Sequence, residues 1–223
     1  MSPADCARAV RALARRDPRL AAIIRVAGPC RLPEGRTRAP FVAMVRALVS
    51  QQLSGKAAAT IFGRVADLVG GTDSMTPASL LAVDRTALRA AGLSHAKVSY
   101  LIDLAEHVDD ARLDLHALDH EGDEAVIEAI TAVKGFGRWS AEMFLMFRLN
   151  RPDVFPVDDL GIVKGVQRLL GMKSRPSRRT MMRTAEPWRP YRSVAAWYLW
   201  RSLEIPVTTA PATPARARTS RPR

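Results

Sequence analysis

Residues 133–162 read VKGFGRWSAEMFLMFRLNRPDVFPVDDLGI. This stretch contains a Lys-Gly-Phe-Gly turn between two segments of helical periodicity, followed by two adjacent aspartates. Gly135 and Gly137 suit a tight turn in which backbone N–H groups at the start of a helix can bind an anion. Asp158 and Asp159 would repel a polyanion bound nearby. Two carboxylates this close to an anion-binding turn therefore indicate a site for chemistry rather than for binding alone.

The chain is strongly basic, with 34 lysines and arginines against 22 acidic residues and a formal net charge of +12. Four of the arginines lie in residues 206–223, which contain no acid, so residues 1–205 carry +8 (12 minus 4). A basic protein with an anion-binding turn fits DNA as its partner. Solubility, or an arginine-rich proteome, would explain the same excess, because net charge bears on partners and not on fold.

Composition excludes several classes of protein. Cys6 and Cys30 are too few for a disulfide framework or for a four-cysteine iron–sulfur site. The four histidines show no zinc-ligand spacing with either cysteine, and no nucleotide-binding glycine-rich loop is present. We therefore expect no zinc or iron–sulfur site and no organic cofactor. The sequence has neither a signal peptide nor a charge-free stretch long enough to span a membrane, which predicts a cytoplasmic protein.

Helical periodicity dominates residues 41–203, and apolar residues recur there at the spacing of one helix face. Residues 153–157, between two prolines, are the one segment predicted to be extended. Residues 206–223 are rich in Thr, Ala, Pro and Arg and predict a disordered basic tail. The expected architecture is an all-α domain over residues 1–205, with helices at 41–49, 56–69, 77–81, 85–91, 96–107, 124–134, 138–149, 158–171, 177–186 and 191–203.

Five blocks, in order along the chain, carry a resemblance to a known family: ALVSQQLSGKAA (47–58), GLSHAK (92–97), VKGFGRWSA (133–141), VFPVDDL (154–160) and PWRPYRS (187–193). They resemble the helix-hairpin-helix (HhH-GPD) DNA glycosylase superfamily, within it the DNA-3-methyladenine glycosylase II (AlkA-type) branch in a compact form. The resemblance implies a two-lobed helical fold whose hairpin spans residues 124–149 and whose active site lies in the cleft between the lobes.

By this resemblance, Asp159 is the catalytic residue. Cleavage of an N-glycosidic bond builds positive charge on the sugar, and a fixed carboxylate stabilises that charge or activates water. Asp158 is expected to cap the helix that follows. The alternative is that both aspartates serve only as helix caps.

The resemblance also implies how DNA is held. Gln52 matches the position of the wedge that fills the gap left by a flipped nucleotide. For Gln52, the alternative is a surface glutamine without a role in DNA binding. For Gly135 and Gly137, the alternative is a plain αα-hairpin turn that needs glycine for its conformation. Similar hairpins hold a monovalent cation, which Gly135 and Gly137 would bind here. The expected phosphate contacts are Lys134, Gly135, Gly137, Arg138 and Ser140.

Aromatic residues suggest the pocket for the base. Trp139 stands where lyase-competent members carry a nucleophilic lysine, so a monofunctional enzyme is expected, because an indole forms no Schiff base. Trp139 and Trp200 are expected to line the base pocket, where aromatic faces attract cationic bases. Met143 and Phe41 are further pocket candidates. The alternative is that both tryptophans belong to the core.

The predicted function is therefore excision of alkylated purines, of the 3-methyladenine and 7-methylguanine type, from double-stranded DNA in base excision repair. The protein is expected to act as a monomer in the bacterial nucleoid, without contacting membranes. Two alternatives stay open: a non-catalytic hairpin module that binds DNA, and a glycosylase for deaminated or oxidised bases.

Overall fold

The predicted all-α fold is confirmed. The computed structural model describes residues 1–32 and 39–205, and within these ranges every regular element is a helix. The helices are α1 (Pro3–Arg16), α2 (Pro18–Ala27), α3 (Pro40–Ser50), α4 (Gly55–Leu68), α5 (Pro77–Leu81), α6 (Arg85–Ala90), α7 (His95–Asp109), α8 (Asp123–Thr131), α9 (Arg138–Met143), α10 (Leu160–Leu169), α11 (Arg178–Ala185) and α12 (Arg192–Ser202).

Two features differ from the sequence expectations. Residues 153–157 are irregular rather than an extended strand, because in the described structure no neighbouring strand pairs with them. The N-terminal helices α1 and α2 were not foreseen, although clear start signals precede them. Ser2 forms a capping box with Asp5, and Asp17 caps α2. The predicted disordered tail, residues 206–223, lies outside the described residues.

The helices pack in two groups. The N- and C-terminal helices form one group, in which α12 packs against α1, α2 and α10, and α10 packs against α11. The middle of the chain forms the other, in which α7 packs against α3, α5 and α6. Within the described ranges, no helix is long and apolar enough to cross a membrane. The hairpin between α8 and α9 belongs to the second group, and α10 belongs to the first.

Long-range hydrogen bonds join the chain ends, two of them from buried aromatic side chains. The fully buried Trp188 donates its indole N–H to Asp17 Oδ2 at 3.1 Å, and Tyr198 donates its hydroxyl to the Gly28 carbonyl at 2.9 Å. Burial acts to raise the pKa of Asp17, but hydrogen bonds from Arg19 and Trp188 outweigh it and lower that pKa. The first helix group thus depends on residues from both ends of the chain.

Candidate active site

Asp159 is the N-cap of α10, and its carboxylate accepts three hydrogen bonds. Oδ1 accepts from the backbone N–H of Ile162 and the indole N–H of Trp200, both at 2.8 Å. Oδ2 accepts from the indole N–H of Trp139 at 2.8 Å. Within the described residues, no cationic side chain lies within 4.0 Å of this carboxylate. The donors are all neutral, so they orient the carboxylate and stabilise its charge without a cation to cancel it.

Asp158 has a different role from the one expected. The prediction that it caps the helix was wrong, because Asp159 occupies the cap. Asp158 instead forms an exposed ion pair with Arg178 at 2.7 Å. One N-cap position accommodates one residue, and the side chain before it points to a neighbouring helix. The two adjacent aspartates therefore have separate environments.

Two glycines on α10 allow α12 to approach Asp159 closely. A Cβ on Gly161 would lie 2.6 Å from Cδ1 of Trp200, and a Cβ on Gly165 would lie 2.8 Å from Cβ of Leu199. Such distances are shorter than real side chains tolerate. Their four-residue spacing places both glycines on one helix face and is the sequence signal of this close packing. Gly161 is thus needed for the indole of Trp200 to reach Asp159.

A π-helical turn alters the predicted helix 138–149. The α-helix ends at Met143, and the turn spans Phe144–Arg148, with the Leu149 N–H donating to the Phe144 carbonyl at 3.0 Å. The wider turn changes the phase of the helix, so Phe147 is 36% exposed. Its ring stacks on Trp200 with centroids 5.8 Å apart. Phe147 is therefore part of the site, and sequence periodicity alone did not identify it.

A cavity of about 190 Å³ lies between α3 and the helix that follows the hairpin. Two of the expected residues, Ser140 and Met143, line it together with Phe147, whose stack on Trp200 links the cavity to the surroundings of Asp159. Its remaining walls are mostly apolar: Ala43, Met44, Ala47, Ile130, Phe136, Phe144 and Arg148.

The other expected pocket residues lie elsewhere. Phe41 is buried and lines a separate cavity of about 480 Å³ near the start of α5, because it faces away from the side of α3 that carries Ala43 and Ala47. Trp139 is 46% exposed and is not a core residue, whereas Trp200 is half-buried and packs against the core; both donate to Asp159. The structure therefore groups the tryptophans with the acid and separates Phe41 from them.

The two hairpin glycines have different reasons to be glycine. Gly135 has φ of +85°, and a Cβ there would lie 2.4 Å from the ring of Tyr100. Conformation and packing both require glycine at this position. Gly137 is the N-cap of α9, and a Cβ there would meet nothing within 4 Å. Space beside Gly137 is open to a molecule approaching from outside.

The hairpin is held from beneath by a buried carboxylate that sequence reasoning missed. Asp103 accepts the backbone N–H of Lys134 at 2.8 Å and lies 3.2 Å from its ammonium group. The ring of His107 approaches the same carboxylate at 3.4 Å. Burial acts to raise the pKa of Asp103, but the hydrogen bonds from Lys134 and the charge of His107 lower it. An aspartate among apolar residues on α7 was the only sequence signal.

The second expected cation of the hairpin is also paired inside the protein. Arg138 forms a bidentate contact with Glu124, at 2.7 and 3.1 Å, and approaches Glu142 at 3.4 Å. Glu142 is buried, and its burial raises its pKa despite Arg138. Both cations of the predicted clamp therefore bind carboxylates in this structure.

Gln52 lies at the exposed turn between α3 and α4 and has φ of +57°, a conformation that residues other than glycine seldom adopt. The turn is tied to the hairpin, since Gln51 donates its amide N–H to the Gly135 carbonyl at 2.9 Å. Lys97 supports it from α7 by donating to the Val49 and Gln51 carbonyls, both at 2.7 Å. The wedge candidate and the hairpin thus form one connected unit.

No cluster of three or more histidine, cysteine or acidic side chains suited to a metal ion occurs among residues 1–32 and 39–205. The expected monovalent cation would instead use backbone oxygens of the hairpin. The carbonyl of Gly135 already accepts one hydrogen bond from Gln51 and has a second lone pair.

Comparison with known proteins identifies the class. The model of the HhH-GPD superfamily of base excision DNA repair proteins matches residues 45–190, which is more than half of the chain. The chain therefore belongs to the HhH-GPD superfamily.

Relatives and solved structures lie within the branch expected from the sequence. DNA-3-methyladenine glycosylase 1 of Schizosaccharomyces pombe is 35% identical over 176 residues, covering 78% of this chain and 77% of that protein. A DNA-3-methyladenine glycosidase from Bacillus halodurans superposes with a TM-score of 0.78 and 41% identity, over 87% of this chain and 88% of the other. The S. pombe enzyme Mag1, in complex with abasic DNA, gives a TM-score of 0.79 and 32% identity, over 91% and 100%.

Proposed function

We propose that the protein is a monofunctional DNA glycosylase that flips alkylated purines out of double-stranded DNA and hydrolyses their N-glycosidic bond. The single observation that carries this is the carboxylate of Asp159, which neutral donors hold in place beside an aromatic-lined cavity. The similarity to DNA-3-methyladenine glycosylases supports the same substrate class. Base excision in the bacterial nucleoid, by a monomer, is the setting we expect.

In this mechanism Asp159 stabilises the positive charge that develops on the deoxyribose as the base departs. The two indoles and the backbone N–H of Ile162 in α10 prevent the carboxylate from rotating away from the sugar. An alkylated purine is already cationic and leaves as a neutral molecule, so no strong general acid is needed. Water completes the reaction, and Asp159 orients it or accepts its proton.

The absence of lyase chemistry is part of the proposal. Trp139 occupies the position at which a nucleophilic lysine would be needed, and its indole nitrogen carries no lone pair for attack on C1′. Its N–H is used to hold Asp159 instead. The product is therefore an abasic site in an unbroken strand.

DNA would be held by the hairpin and the Gln52 turn. The open space at Gly137 suits a phosphate that contacts backbone N–H groups, with Ser140 nearby on α9. Gln52 would enter the gap left by the flipped nucleotide. Lys134 and Arg138 add positive potential, although each is paired with an acid. A monovalent cation at the hairpin carbonyls would complete the contact.

The base itself would occupy the cavity lined by Met143 and Phe147, close to the ring of Trp200. Its walls are mostly apolar, and the neighbouring aromatic faces favour cationic, electron-poor bases without reading their hydrogen-bonding groups. This predicts a broad preference for methylated purines.

The test is base release from methylated duplex DNA, with strand breaks measured before and after alkali. Wild type should release 3-methyladenine or 7-methylguanine and give breaks only after alkali. Asp159→Asn should lower the rate by about 100-fold or more, because the stabilising charge is lost. Asp158→Asn is the matched control, since it removes the same charge one residue away.

Strand breaks without alkali would contradict the monofunctional assignment. Equal losses in Asp158→Asn and Asp159→Asn would contradict the catalytic role of Asp159. Tight binding with no base released would favour a non-catalytic hairpin module.

A further inference from the structure

The segment that follows the acid site has an unusual charge. No acidic residue lies between Asp159 and Glu186, whereas seven lysines and arginines do. Five of these seven are exposed and lie on α11 and the loop before it; we call this group the α11 surface: Lys173, Arg175, Arg178, Arg179 and Arg183.

These cations lie at positions where they destabilise α11. Arg178 and Arg179 lie in the first turn of α11, which contains no acid, and cations are unfavourable at the positive end of the helix dipole. Arg179 and Arg183 are four residues apart on one face, where like charges repel by about 0.2–0.5 kcal/mol. A helix that carries clustered positive charges at a cost to its own stability fits a surface that binds a polyanionic partner.

Most of the α11 surface is free of internal acids. Among the described residues, only Arg178 has an acidic partner, Asp158, and both side chains of that pair are more than half exposed. This contrasts with the hairpin, where Lys134 and Arg138 each bind a carboxylate of the protein. The unpaired guanidinium groups of Arg179 and Arg183 are thus available to phosphates.

The α11 surface also lies close to the candidate active site. The ion pair to Asp158 places α11 next to the residue that precedes Asp159. The hairpin reaches Asp159 through Trp139, which follows it in the chain. The hairpin and the α11 surface therefore approach Asp159 through different neighbouring residues. The hairpin belongs to the second helix group and α11 to the first.

We propose that the α11 surface binds phosphates of the DNA backbone and forms a second DNA contact that is separate from the hairpin. The inference rests on the proposed function in that DNA is the substrate. Arg178 exchanges Asp158 for a phosphate on binding, while Arg179 and Arg183 add contacts that need no exchange. Such contacts set affinity and register without reading sequence.

The test measures the salt dependence of binding to an undamaged duplex by the full chain. Arg179→Gln/Arg183→Gln should lower the slope of log Kobs against log[salt] by about 2, since each phosphate contact contributes about 0.9. Arg11→Gln/Arg15→Gln, on the exposed face of α1, removes the same charge elsewhere and should leave the slope nearly unchanged. Thermal unfolding of both variants checks that each is folded.

An unchanged slope in the α11 variant would overturn the proposal in favour of an acidic protein partner. Equal decreases in both variants would overturn it in favour of net charge alone. Binding to undamaged DNA requires no base excision, so the outcome is independent of the glycosylase test. A lowered slope in a protein that releases no base would refute the proposed function and support this inference.

Discussion

Asp103 beneath the hairpin and Asp159 at the start of α10 are both held by several hydrogen bonds, but by different kinds of partner. Asp103 lies against the ammonium group of Lys134 and the ring of His107, so its charge is compensated. Asp159 accepts only from neutral groups, the indoles of Trp139 and Trp200 among them. A cationic partner neutralises a carboxylate, whereas neutral donors orient it and stabilise its charge without cancelling it. The first arrangement suits a structural support and the second suits stabilisation of a cation.

After the loss of Asp159 itself, the largest effect should come from removing its neutral donors. Trp139→Phe/Trp200→Phe keeps two aromatic faces and deletes both indole N–H groups. Hydrogen bonds to charged groups are each worth about 1.5–3 kcal/mol, so single-turnover excision should fall by about 100-fold. Trp197→Phe, on the same helix as Trp200, is the control and should excise normally. A double variant within about threefold of wild type would show that orientation of Asp159 does not matter.

Gly161→Ala should have a smaller effect, because it changes the packing of Trp200 beside Asp159 rather than deleting a hydrogen-bond donor. The added Cβ would displace the indole of Trp200, which we expect to lower excision about tenfold and to cost about 1–3 kcal/mol in stability. Gly63→Ala on α4 meets nothing within 4 Å and should be stabilising. Excision assays and thermal unfolding measure the two effects. Unaltered excision in Gly161→Ala would mean that Trp200 has room to shift.

Asp103→Asn tests the compensated carboxylate. The hairpin backbone would lose the charged acceptor of the Lys134 N–H and with it part of its fixed geometry, so affinity for duplex DNA should fall about three- to tenfold, while excision at saturating DNA is retained. Asp109→Asn on the same helix is exposed and should leave affinity unchanged. Fluorescence anisotropy with an undamaged duplex gives the affinities. A defect in excision at saturation, with normal binding, would place Asp103 in the chemistry instead.

The smallest effect is a pH dependence of stability. Because the pKa of Asp103 is lowered on folding, its contribution is fully present above the unfolded value near 3.8 and is lost as the pH falls through the folded value. The difference in melting temperature between wild type and Asp103→Asn should therefore be largest near neutral pH and shrink by about pH 3. A difference that stays constant or widens in acid would rule out this linkage.

Much of the fold was predictable because helical periodicity and cap residues are local signals. The helices on both sides of the hairpin, the start of α10 and the importance of Gly135 all follow from short stretches of sequence. The π-turn was not predictable, since it depends on how Phe144–Arg148 packs against α3. The N-terminal helices were missed because their arginines obscured the apolar positions, although Ser2 and Asp17 provide ordinary caps.

The acid site was predictable only in part. The position of Asp159 after the hairpin, together with the family resemblance, indicated the acid. Its partners could not be predicted, because Trp139 and Trp200 come from helices that are distant in sequence. Likewise Asp103 reaches Lys134 across 31 residues, and no local pattern links an aspartate on α7 to the hairpin.

The hydrogen bond between Asp17 and Trp188 has a consequence for the order of folding. It joins residues 171 positions apart, and the bond from Tyr198 to Gly28 spans 170. During synthesis, α1 and α2 emerge from the ribosome long before α12, so they cannot complete their packing until α12 has been synthesised. The middle helices, whose contacts are closer in sequence, can assemble meanwhile. We therefore expect the half of the protein that carries Asp159 to mature last, after the hairpin is already formed.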